Sequence, residues 1–151
     1  MIALHYQDLV TSLTIEYARK VIGDDAKNLK IIFSNDLNGV HGTCYPFRTP
    51  KTILYCDGQM RLNRYNLDAL KYTIVEECAH LKRIPYDEEF YRICKEIGYD
   101  VSKPPIGMKY YWRYKKRCGN CGDEKFYNRK PHNLVCKNCG NEATIFYGVC
   151  E

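Results

Sequence analysis

Four cysteines in the last third of this 151-residue chain have the spacing that holds a metal ion. From Cys118 the sequence reads CGNC, then fourteen residues, then CKNC ending at Cys139. A C-x-x-C turn places two sulfurs about 3.5 to 4 Å apart, and two such turns complete the thiolate tetrahedron of structural zinc. The insert GDEKFYNRKPHNLV suits a hairpin between the turns. Thiolates at all four positions leave no open coordination site, which points to a structural or recognition role. A module of about 40 residues cannot bury an adequate core, so Zn2+ would supply most of its folding energy. The competing readings are unliganded core cysteines or a redox pair. The other five cysteines, Cys44, Cys56, Cys78, Cys94 and Cys150, are scattered and read as small hydrophobes.

A second stretch, TIVEECAHL at 73–81, could also do chemistry. It differs by one letter from H-E-x-x-H, the helix signature of zinc peptidases. There, histidines at i and i+4 bind the metal from one face, and the glutamate at i+1 polarises the bound water. Here Glu76 stands at the first ligand position, with Glu77 and His80 at the base and second-ligand positions. A carboxylate is itself a competent zinc ligand. The plain alternative is a solvent-facing acidic helix with one histidine.

These residues need elements to position them. Apolar side chains at Tyr6, Leu9, Val10, Leu13, Tyr17, Ala18 and Val21 fit one face of a helix over 4–22, stopped by Gly23. LKIIFS (29–34), GTCYPF (42–47) and TILYC (52–56) read as three strands, with turn signals at NDLNG (35–39) and DG (57–58). Asn66 is the expected N-cap of the helix carrying Glu76 and His80, whose apolar stripe is Leu67, Leu70, Ile74, Cys78 and Leu81. Asp87 can cap a third helix that buries Phe90, Ile93, Cys94 and Ile97 and ends at Gly98. VSKPPIGMK (101–109) reads as a linker between a domain at 1–100 and a ribbon at 110–151.

Taken in order, the first helix, the G-T-C strand, the I-L-Y-C strand, the E-E-x-x-H helix, Y-D-E-E-F-Y-R-I-C-K-E-I-G-Y-D and the four-cysteine ribbon resemble the SprT-like family. That family comprises zinc-dependent peptidases and their relatives, including Spartan-type enzymes that cut proteins crosslinked to DNA. The resemblance covers nearly the whole chain. It implies an α+β fold: a zincin-like minimal metalloprotease core followed by a small β zinc ribbon. Gly42 and Cys44 match the family's G-x-C strand, Glu77 its general base, His80 its second ligand and Phe90 its helix aromatic. The ribbon cysteines match its structural zinc site. The third histidine is expected six residues after the second, where Tyr86 stands. Two of three ligand positions are therefore changed, to Glu76 and Tyr86.

A carboxylate in place of imidazole adds negative charge to the shell and weakens the metal as a Lewis acid. A tyrosine ligates well only as phenolate, against a pKa near about 10. Asp87 is a competing third ligand, although its better role is the helix cap. Such an oxygen-rich set suits a harder ion such as manganese. The expectation is one structural Zn2+ in the ribbon and a second metal position at Glu76, His80 and Tyr86. The altered peptidase site would no longer cut proteins efficiently. Two alternatives stand beside it: an active zinc peptidase acting on DNA-bound proteins, and a ribbon adaptor whose N-terminal part only scaffolds.

Charge points to the partner. Residues 1–100 hold 13 Lys/Arg against 14 Asp/Glu, whereas residues 101–151 hold 10 against 4, a net of +6. A basic module suits a polyanion, nucleic acid first. Arg113, Lys115, Lys116, Arg117, Arg129 and Lys130 interleave with Tyr110, Tyr111, Trp112, Tyr114, Phe126 and Tyr127, the mixture that single-stranded nucleic acid uses. Packing of the aromatics against the main domain is the competing reading, favoured for Trp112. No apolar run approaches the roughly 20 residues of a membrane span, and the first residues lack the pattern of a signal peptide. A cytoplasmic or nucleoid-associated protein is expected, or a nuclear one in a eukaryote, with no membrane partner.

Overall fold

The computed structural model describes residues 5–35, 41–127 and 129–150, apart from the side chain of Cys150. Part of the expected NDLNG turn and the first residues of the expected N-terminal helix lie outside these. Helix α1 (Tyr6–Ile22) ends at Gly23, whose φ of +64° suits glycine, and a 3-10 turn (Gly23–Asn28) leads into the first sheet. Strands β1 (Lys30–Ser34), β2 (Gly42–Tyr45) and β3 (Thr52–Cys56) pair in the order β1-β3-β2. β3 runs parallel to β1 and antiparallel to β2, so β2 is an edge strand.

The DG at 57–58 does not turn the chain back; it begins a short helix, α2 (Asp57–Leu62). The cause is long-range. The Asp57 carboxylate accepts hydrogen bonds from the Tyr6 hydroxyl and from Gln7 Nε2 (2.9 Å) on α1. Gly58 has no side chain because the Tyr111 ring lies against it; a Cβ there would come within 2.7 Å of that ring.

Helix α3 (Leu67–His80) is capped by Asn66, whose side chain accepts from Ala69 N at 3.2 Å. Helix α4 (Glu88–Ile97) is capped by Asp87, which accepts from Phe90 N at 3.1 Å, and it stops at Gly98. α3 is buried on more than one side: Leu70, Ile74 and Cys78 of the apolar stripe, but also Thr73, Val75, Glu77 and Ala79. Leu67 is exposed. These residues join Val10, Tyr17 and Ala18 of α1, Ile53 and Tyr55 of β3, Met60 of α2 and Phe90, Ile93, Cys94 and Ile97 of α4 in one core.

Residues 101–109 do more than link. Gln59 and Asn63 are buried, and both side-chain amides donate to Lys109 O at 2.8 Å. In return Lys109 N donates to Asn63 Oδ1 (2.8 Å) and Tyr111 N to Gln59 Oε1 (2.7 Å). Because an unpaired buried amide is costly, this reciprocal clamp fastens the root of the second sheet to α2. That sheet contains β4 (Tyr111–Cys118), β5 (Glu124–Tyr127) and β6 (Ala143–Cys150), antiparallel in the order β5-β4-β6. The described residues thus form an α+β structure of four helices and two three-stranded sheets. Among the described residues, no helix is long and apolar enough to cross a membrane.

Candidate metal centre and carboxylate cavity

The two cysteine turns are near copies of each other. In the first, Cys118 N donates to Asp123 O (2.9 Å) and Gly122 N to Cys118 O (2.9 Å); in the second, Cys136 N donates to Asn141 O (2.7 Å) and Gly140 N to Cys136 O (2.8 Å). Gly122 and Gly140 each close the turn at a positive φ, +77° and +79°. The register of β4 and β6 pairs Cys118 with Ala143, and the bridge between Val135 and Glu142 aligns the second turn beside it.

The result is four sulfurs whose ligand atoms all lie within 4.8 Å of one another. Cys118 Sγ is 3.4 Å from Cys139 Sγ, and Cys121 Sγ is 3.6 Å from Cys136 Sγ. A zinc–sulfur bond of about 2.3 Å gives a tetrahedron with edges near about 3.8 Å, so the set fits the ion. The turns also support each other's thiolates. Asn120 of the first donates to Cys139 (3.7 Å), and Asn138 of the second donates to Cys121 (3.5 Å). Asn141 adds a donor to Cys139 at 3.3 Å. These amides, Asn141 foremost, lower the Cys139 thiol to about 6, and Asn138 lowers Cys121. Deprotonated sulfur is the form a metal binds. The four cysteines are placed to hold one structural Zn2+.

The residues of the E-E-x-x-H helix are placed differently. Glu76, Glu77 and Tyr86 line one cavity of about 230 Å³, together with His41, Gly42, Tyr72, Thr73, Met108 and Tyr110. Glu77 is only 4% exposed, which overturns the solvent-facing reading of this helix. Its Oε2 has no hydrogen-bond partner. Burial, with Glu76 nearby, raises its carboxyl to about 8, and burial raises Glu76 to about 7. Gly42 makes room for this side chain: a Cβ there would stand 3.0 Å from Glu77 Cγ.

His80 opens elsewhere. Its ring packs against Tyr86 (centroids 4.8 Å apart) and Phe90 (4.6 Å), and its Nδ1 is 3.0 Å from Arg83 O. It lines a separate cavity of about 220 Å³ with Pro46, Phe47 and Lys51. Burial holds its pKa down. Glu76 and His80 therefore share a face of α3 but open onto two cavities. Burial first and then the Glu76 and Glu77 charges push the Tyr86 hydroxyl up to about 12 in the metal-free chain. Asp87 is taken by the α4 cap and by Arg83. Among the described residues, the four cysteines are the only group of three or more His, Cys, Asp or Glu whose ligand atoms converge. Glu76, His80 and Tyr86 as placed do not fit a catalytic zinc shell.

Sequence reasoning missed His41, Tyr72 and Tyr110 as cavity residues. Tyr72 lies one helical turn before Glu76, a signal that was available. His41 and Tyr110 come from a strand entry and the ribbon root, and only folding brings them to α3. The buried His41 Nε2 also has no partner.

The basic residues of the ribbon divide by strand alternation. Arg113, Lys115 and Arg117 share one face of β4, and Lys115 is in register with Phe126 and Phe146. Lys115 and Arg117 both approach Glu124, at 3.9 and 3.6 Å. Lys116 points the other way and is buried, its ammonium donating to Asn133 O (3.3 Å) and Val135 O (3.2 Å). That corrects its expected role: Lys116 holds down the 133–135 segment and is not available to a phosphate. Arg129 and Lys130 are exposed, with Lys130 Nζ 5.8 Å from the Tyr147 ring centroid. Trp112 is half-buried near Phe126 (6.3 Å), within the ribbon itself. No protein-family model matches the chain, and neither do any curated proteins or solved structures.

Proposed function

We propose that this chain is a SprT-like protein that associates with nucleic acid through its zinc ribbon. On this reading its zincin-like core keeps the family's framework but no longer works as a zinc peptidase. The observation that carries the first part is the β4 face on which Arg113, Lys115 and Arg117 alternate beside Phe126 and Phe146. Cationic side chains neutralise phosphates, and aromatic rings offer stacking surfaces that tolerate any base. Phe146 is an exposed ring of that surface, whereas Tyr147, with Lys130 beside it, lies on the opposite face of the sheet. Zinc would act by holding the sheet rigid, so that this face is preformed.

The second part rests on Glu76 and His80 opening onto two different cavities. With no convergent ligand set, Glu77 has no metal-bound water to deprotonate.

Fluorescence anisotropy with a labelled single-stranded oligonucleotide tests the reading. Affinity is expected to fall as salt rises, and Lys115→Gln with Arg117→Gln should reduce the magnitude of the log–log slope by about 1 to 2. Binding that is absent or indifferent to salt would sink the nucleic-acid assignment. Incubation with a basic protein on DNA is expected to give no cleavage; cleavage abolished by Glu77→Gln would establish an active peptidase instead.

A further inference from the structure

The cavity over Glu76 and Glu77 has a chemistry of its own. Tyr72, Tyr86 and Tyr110 contribute three aromatic rings to its lining, and two carboxylates of α3 face the same space. Among the described residues, no lysine or arginine lines it. Two buried polar atoms are unpartnered, Glu77 Oε2 and His41 Nε2. Burial favours the neutral form of His41, whose backbone contact is Tyr111, and a neutral imidazole has one acceptor nitrogen. Once ionised, Glu77 is acceptor-only, so an incoming group that brings donors and positive charge would displace the proton this carboxyl holds and satisfy Oε2.

We propose that this cavity receives the side chain of a lysine or arginine from a protein partner. Lysine and arginine are the donor-only side chains, and the faces of tyrosine rings attract such cations. A carboxylate as buried as Glu77 gains most from a partner that brings both charge and hydrogen. The size agrees: about 230 Å³ lies below the roughly 300 to 1,000 Å³ of pockets for drug-sized ligands and suits one long side chain. A bare metal ion fits less well, because the carboxylate and imidazole atoms do not converge as the four sulfurs do. The rim favours a polypeptide over a free amine. Tyr86 is 61% exposed at the mouth, and Phe47 (88%) and Ile84 (52%) flank the neighbouring cavity, offering apolar contacts to residues beside the inserted one. This pocket is separate from the nucleic-acid face, and the proposal stands without it. Together they describe a protein that holds a polyanion with one module and a basic polypeptide with the other.

The test is an NMR titration of the full zinc-loaded chain with the capped tripeptide Ala-Lys-Ala, its arginine counterpart and its norleucine counterpart. The lysine and arginine peptides are expected to bind saturably and shift the His41 and tyrosine ring signals. The norleucine peptide should bind at least tenfold more weakly. Glu77→Gln and Tyr72→Leu should each weaken the lysine peptide at least tenfold, whereas Tyr65→Ala, an exposed tyrosine outside the cavity, should keep wild-type affinity. Equal binding of lysine and norleucine would overturn the proposal. So would a second Mn2+ or Zn2+ per chain that displaces the peptide, or putrescine binding tenfold tighter than either basic peptide. Retained ribbon and core resonances in each variant show that it has folded, so lost affinity then reports on the cavity.

Discussion

Two clusters of metal-ligand residue types occupy this chain, and they have different fates. In the ribbon, four sulfurs converge within 4.8 Å and three asparagine amides support them. In the core, Glu76, Glu77 and His80 lie within five residues of one another, yet they open onto two cavities and one carboxylate oxygen has no partner. The ribbon's geometry is set locally, by two tight turns that repeat the same backbone bonds. The core's depends on what segments distant in sequence bring to α3. Shared helical spacing puts side chains on one face but does not bring their tips together; a preformed metal site needs turns or partners that do.

The largest expected effect breaks the ribbon side of the comparison. Cys118→Ser should remove the zinc and unfold β5 and β6 while the helical core survives, since apparent zinc-binding energies of about 10–16 kcal/mol drive the folding of such modules. Metal analysis should fall from one zinc to none, and amide protection should vanish beyond Cys118 but persist in α3. Loss of both halves together would show that the clamp, not the metal, organises the molecule.

Next comes the core. The folded carboxyl of Glu77 titrates at about 8, well above the ordinary carboxyl range, so the folded state holds a proton that the unfolded chain has released. Stability is then fully present below about pH 4, falls between about pH 5 and 8, and is lost as pH passes the folded value. Glu76, raised to about 7, holds a second proton, so the slope should approach about 2.8 kcal/mol per pH unit from pH 5 to 7 and about 1.4 from 7 to 8. Glu77→Gln should roughly halve that slope and stabilise the protein by about 2–4 kcal/mol at pH 8, as measured by urea unfolding at several pH values. A mutant with an unchanged slope would mean that this side chain is already charge-paired.

Smaller effects test how the halves are joined. Asn63→Ala leaves Lys109 O short of a donor and its N–H without a partner, at a cost of about 1–3 kcal/mol. Hydrogen exchange should quicken at the ribbon root before it does in α3. Smallest of all, Asp87→Ala removes the α4 cap and an exposed pair with Arg83, and should lower Tm by about 2–4 °C in a thermal melt.

Much of the framework was readable in advance because its signals are local. Asn66 and Asp87 cap helices with their own side chains, Gly23 and Gly98 stop helices at positive φ, and the three strand runs pair as one sheet. α2 was not readable, since D-G is a turn signal until Asp57 finds Tyr6 and Gln7 some fifty residues away. Lys116 was placed on the nucleic-acid surface with its basic neighbours by composition; alternation puts it on the other face, and only folding shows that the 133–135 segment covers it. The core cavity shows the same division: Glu76 and Glu77 were visible as a motif, but their burial and their company of His41 and Tyr110 were not.

What the sequence determined by itself is therefore the four-cysteine cluster, the helix caps and stops, and the placing of the excess positive charge. Each depends on residues within a few positions of one another or on plain counting. The tertiary structure alone decided that Glu77 is buried without a partner, that His80 faces a different cavity and that Lys116 is spent on carbonyls. Desolvation and convergence depend on what other segments pack above a side chain, and no spacing along the chain records that.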